Sequence, residues 1–195
     1  MEVLFVCEMN FERSPAAEYI AKAEAEQRGL LTIQFSSAGL EDPHYGFMSV
    51  PMRRSLYELG YPDPISHKPR KVTPEILSRQ DLILCFTNHH VELINNIIGG
   101  QDPRVHTLTD FTGEKGDIPA PQAFMKDNVL STAAMYLPPA WKRNLSAILG
   151  YVHRGDTEGV ALIHDKVTRQ IEGYVLRALD RIATQAQFRL DSPNV

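Results

Sequence analysis

The chain of 195 residues carries only two cysteines, Cys7 and Cys85. A disulfide-stapled secreted domain needs more, so a reduced, cytoplasmic setting is expected. No apolar run approaches the ~18 residues of a spanning helix, and no membrane partner is expected. The N-terminus lacks a basic segment followed by a signal-type apolar stretch. Neither sign of charge dominates: 24 acidic against 20 basic side chains give a formal charge of −4. That balance points away from nucleic acid as a partner. Internal repeats and low-complexity tracts are absent. What is left, 43% hydrophobic and 23% charged residues, suits one soluble domain spanning 1–195. No metal and no cofactor are expected, and the oligomeric state is unspecified.

The informative stretch lies at the start. Val3 to Val6 form an apolar run of strand length that ends in Cys7, and Arg13, Ser14 and Pro15 follow. Serine is a preferred N-cap and proline suits the first helical position, so a helix is expected to begin at Ser14 or Pro15. Strand, short loop and helix together aim backbone N–H groups and the positive helix end at one spot above the strand. A thiol placed there has its thiolate form favoured. Arg13 adds a planar fork that grips a tetrahedral oxyanion with two parallel hydrogen bonds. A nucleophilic sulfur inside an oxyanion cradle describes phosphoryl transfer to cysteine. The alternative is a core cysteine near a surface arginine.

Cysteine, any five residues, arginine, serine and proline at the N-terminus resemble the low-molecular-weight protein tyrosine phosphatases. Arginine phosphatases and arsenate reductases are among their relatives. The resemblance runs from about residue 2 to 121 and resumes in the last helix. It implies an α/β fold in three layers, a four-stranded parallel sheet flanked by helices, with a phosphate-binding loop after the first strand. It implies hydrolysis of a phosphorylated protein side chain of the phosphotyrosine kind through a cysteinyl-phosphate. Cys7 is then the nucleophile and Arg13 the clamp. Glu8, Met9, Asn10, Phe11, Glu12 and Ser14 line or hold the cradle, with Ser14 donating to the sulfur. Ser37 (in Ser37-Ala38-Gly39) and His67 (in Ser66-His67) stand where the family braces its loop asparagine. Asn10 itself tolerates a left-handed backbone, which a tight anion loop tends to need.

Elsewhere, helices are expected over 15–29, with Glu18 outside, over 50–59, from Pro74, and from Thr87 or Asn88 to Ile98. Strands are expected over 32–36, 81–86 and 105–108. Alternation of this kind implies parallel β-α-β units. Val160, Ile163, Val167, Ile171, Val175, Leu179, Ile182 and Ala186 mark the buried stripe of a final helix. Residues from about 125 to 156 read as an insertion. Cys85 inside its strand is expected to lie too far from Cys7 to form a disulfide.

The chain also departs from its relatives. Met9 replaces a glycine. Glu8 and Glu12 place two carboxylates in a loop meant for a dianion, where contact repulsion reaches roughly 4 kcal/mol at an effective dielectric of 20. Both are therefore expected to face solvent. Ala120 occupies the position of the family's general acid, and Asp117, three residues earlier, is the expected substitute. A lost acid costs about 10²- to 10⁴-fold in rate. Two other readings stay open: a degenerate phosphate-binding or regulatory module without turnover, and an arsenate reductase, which wants more thiols than this chain has.

Overall fold

The computed structural model describes residues 1–121 and 157–191. The expected insertion, residues 125–156, lies outside the described residues. Strand β1 (Glu2–Cys7) is one of two interior strands; from Val3 onward it is buried. It is flanked by β2 (Gln34–Gly39) and β3 (Leu82–Cys85), and β4 (Val105–Thr107) lies beyond β3. All pairings are parallel, in the order β2-β1-β3-β4. Parallel strands are buried on both faces, which explains why β1 and β3 read as unbroken apolar runs. Strand β2 runs from Gln34 to Gly39, shifted toward the C-terminus from the expected 32–36, and its last residue pairs with Cys7.

On one face, Val3, Phe5, Phe35 and Leu84 pack with α1 (Arg13–Gln27), α2 (Val50–Glu58), α5 (Leu108–Phe111) and the long α6 (Thr157–Asp191). On the other face, Leu4, Val6, Ile83 and Cys85 meet α3 (Pro74–Ser78) and α4 (Asn88–Ile98). The expected three-layer arrangement is thus the observed one. Thr73 and Thr87 cap α3 and α4 through their hydroxyls, and Gly99 ends α4 in the left-handed conformation at φ 95°. Val167, Ile171, Val175, Leu179 and Ile182 of the stripe are buried and Ile163 is half-buried. The side chains of Val160 and Ala186 lie outside the described residues. Among the described residues, no helix is long and apolar enough to cross a membrane.

Two expectations for α1 are corrected. Helix α1 starts at Arg13, with Glu12 in the cap position and no side-chain cap, because the Ser14 hydroxyl is engaged elsewhere. Glu18 is buried rather than outside.

The two thiols are free, but not for want of proximity. Val6 pairs with Cys85, so Cys7 is one step along the adjacent strand. At ~4.8 Å between strands and ~3.3 Å per residue, their Cα atoms are near neighbours. Successive side chains point to opposite faces, so Cys7 and Cys85 fall in different core clusters. Burial also pushes the Cys85 thiol far up, with the Cys7 sulfur adding to it. Mild oxidation is expected to give no Cys7–Cys85 disulfide, checked by intact mass and by thiol counting after unfolding.

Candidate active site

The loop from Cys7 to Arg13 closes over the C-terminal end of β1. Its carbonyls are taken from outside: Cys7 O by Leu40 N at 3.0 Å, Glu8 O by Glu41 N at 2.9 Å, Phe11 O by Ser49 N at 2.9 Å and Glu12 O by Ala16 N at 3.1 Å. The Asn10 carbonyl faces His67 Nε2 at 3.2 Å. Across a trans peptide, a carbonyl and the next residue's N–H point in opposite directions. Outward carbonyls at 7, 8, 10, 11 and 12 therefore turn the following N–H groups toward the loop centre, forming a concave anion nest.

Asn10 holds this path. Its φ of 53° makes it the one non-glycine residue with positive φ among the described residues. The Arg70 backbone N–H donates to Asn10 Oδ1 at 3.0 Å, which fixes the amide's orientation. Asn10 Nδ2 must then donate, and it reaches Ser14 Oγ at 2.9 Å and Ser37 Oγ at 2.7 Å. Ser37 spends its own proton on Glu18 Oε2 at 2.6 Å. Ser14, already an acceptor, keeps one proton to give, and the Cys7 sulfur lies 3.1 Å away. The other acceptor for it is Ala38 O at 3.3 Å. A thiolate at Cys7 thus finds a donor whose polarity is set by the Asn10 amide, itself oriented by the Arg70 N–H. Burial, foremost, pushes His67 below the usual histidine range despite its contact with Asn10, so a neutral ring donates to that carbonyl.

Gly39 makes the close fit possible. A Cβ there would lie 2.7 Å from Met9 C, 2.8 Å from Asn10 N and 2.9 Å from Glu8 O. The Met9 side chain replaces the family's glycine without disturbing this contact, since Gly39 meets the backbone of the loop.

Arg13 is buried, donates from Nη1 to Ile118 O at 2.9 Å, and sits 5.8 Å from the Phe86 ring centroid. That bond ties the guanidinium to the segment after Asp117. Asp117 itself accepts at Oδ1 from Asn88 N at 2.8 Å and Asn88 Nδ2 at 3.1 Å, so it holds the N-terminus of α4. Phe11 stacks on Tyr45 with centroids 4.4 Å apart.

The two loop carboxylates do not simply face solvent. Glu12 is buried, and its Oε1 lies 3.1 Å from His164 Nε2 of α6. Glu8 is partly exposed at 39%, with Oε2 3.3 Å from Nε2 of buried His90. Glu8 also borders an open cleft of about 320 Å³ lined by Leu40, Glu41, Leu93, Asn96 and Ile97. Burial, then the charges of Arg13 and His89, push His90 down to about 3, so it stays neutral. Glu18, His90 and His164 were missed by sequence reasoning. His90 had one usable signal, its place in the first turn of a helix that follows a strand's C-terminal end, where α/β sites form.

A cysteine, an arginine and a serine around a nest at a strand–helix junction define a cysteine-centred phosphate-loop protein. Residues 2–135 match the family described as low molecular weight phosphotyrosine protein phosphatase. The chain belongs to that family of cysteine-dependent phosphatases. It is 32% identical to the protein-arginine-phosphatase of Bacillus subtilis over 60% of this chain and 77% of the relative. It is 30% identical to the low molecular weight protein-tyrosine-phosphatase PtpB of Staphylococcus epidermidis over 62% of this chain and 81% of the relative. Its fold superposes on a YwlE mutant from Bacillus subtilis with a TM-score of 0.69 at 22% identity, covering 94% of this chain and 99% of the other.

Gly39→Ala is expected to force the loop off its path, destabilising the protein by about 1–3 kcal/mol and weakening vanadate binding at least tenfold. Urea unfolding and a vanadate titration check the two effects.

Proposed function

We propose that this protein hydrolyses phosphorylated protein side chains of the phosphotyrosine kind, with Cys7 as nucleophile. The observation that carries the proposal is the polarised chain from the Arg70 N–H through Asn10 and Ser14 to the Cys7 sulfur. The sulfur attacks phosphorus, an S–P bond forms, and the P–O bond to the leaving group breaks. Water then displaces the sulfur, which departs as thiolate. Ser14 supplies a hydrogen bond to that anion at both ends of the cycle. The nest N–H groups and the Arg13 fork hold the phosphoryl oxygens as charge redistributes among them. Glu8, Met9, Phe11 and Glu12 supply the backbone of the nest.

The Phe11–Tyr45 stack beside the loop favours a flat aryl group over a guanidinium, although the Bacillus subtilis relative is named for arginine. Two cysteines, both free thiols, support the expected cytoplasmic setting. A second reading, binding without turnover, is favoured by one observation: Asp117 is committed to Asn88 and Ala120 carries no acid.

Cys7→Ser is expected to keep vanadate binding and to lose turnover of an activated aryl phosphate by more than about 10³-fold. Undiminished turnover in that variant overturns the mechanism, and an inert native protein that still binds vanadate selects the second reading. Peptides bearing phosphotyrosine or phosphoarginine decide the substrate, with kcat/KM expected to favour phosphotyrosine at least tenfold.

A further inference from the structure

The proposed reaction leaves a proton unassigned. When the P–O bond breaks, an ordinary leaving oxygen must be protonated, and Asp117 is occupied at the start of α4 by two donors from Asn88. Glu12 is turned away from solvent onto His164. Glu8, the residue next to the nucleophile, is partly exposed and has one carboxyl oxygen, Oε2, 3.3 Å from His90 Nε2.

The geometry points to Glu8 as the general acid and base of this enzyme, positioned by His90 at the rim of the phosphate loop. The inference rests on the phosphatase reading above. His90 is buried, its Nδ1 has no partner among the described residues, and Nε2 faces the carboxyl. The single proton of the neutral ring belongs on Nε2, where an acceptor waits, rather than on Nδ1, where a buried N–H would be orphaned. Oε2 of Glu8 is then the held oxygen and Oε1 the one that carries the transferable proton.

In the proposed cycle Glu8 enters with the proton that the leaving oxygen needs. In the first step, the S–P bond forms, the P–O bond breaks, and the leaving oxygen takes the Glu8 proton. In the second step, water attacks phosphorus, the Glu8 carboxylate takes a water proton, and the S–P bond breaks to return thiolate. Protons balance over the cycle and no outside reagent is needed.

The test is a kcat/KM series, which reports only the step that releases the leaving group, on aryl phosphates from dinitrophenyl phosphate, whose phenol needs little protonation, to phenyl phosphate. Glu8→Gln is expected to lower the phenyl-to-dinitrophenyl rate ratio by about 10²-fold, within the ~10²–10⁴ that such groups supply. His90→Ala is expected to lower the same ratio by a smaller factor, whereas a merely structural role would lower both rates alike. Vanadate binding by each variant reports on the loop. Equal losses on both esters overturn the assignment. So does a selective loss that appears with Asp117→Asn or Glu41→Gln and not with Glu8→Gln. Either result leaves the phosphatase reading standing if the native protein turns over dinitrophenyl phosphate through Cys7. A native protein inert on dinitrophenyl phosphate overturns both readings.

Discussion

The left-handed backbone at Asn10 is the constraint on which the rest depends. A non-glycine residue in that region costs on the order of 1–2 kcal/mol, and nothing local to the loop offsets it. Four hydrogen-bond contacts do, from Ser14, Ser37, Arg70 and His67. At about 1 kcal/mol each, they outweigh the strain. They come from α1, β2 and the segment before α3, so the loop's shape is specified by the assembled fold. The nest, the aim of Ser14 and the room beneath Gly39 all follow from that one φ.

The electrostatics answer the problem of acids in an anion loop in two ways. Glu12 is sunk into the core against His164, which links the loop to the final helix across 152 residues of sequence. Burying such a pair is weak evidence of net stabilisation, but removing one partner leaves a buried polar group exposed to the full desolvation cost. The pair therefore fixes where α6 sits relative to Arg13. Glu8 stays at the surface and leans on a neutral histidine.

Sequence determined a good deal here by itself. Strand-length apolar runs, Thr-capped helix starts and the Cys7-to-Arg13 spacing depend on neighbours within a few residues, and the observed four-stranded parallel sheet and its flanking helices agree with them. Ser37, Gly39 and His67 were legible through the family resemblance, and structure adds what each does: an acceptor for the Asn10 amide, a close backbone approach, and a donor to a carbonyl. Tertiary structure alone decided where the charged side chains go. Glu18 has the spacing of a surface residue, yet Ser37 draws it inward. Asp117 resembles a spare acid until Asn88 is beside it, 29 residues away in sequence. Periodicity reports which face of an element is apolar, whereas a buried charge is settled by partners that only folding brings within 3 Å or so. No pattern of a single chain encodes that distance.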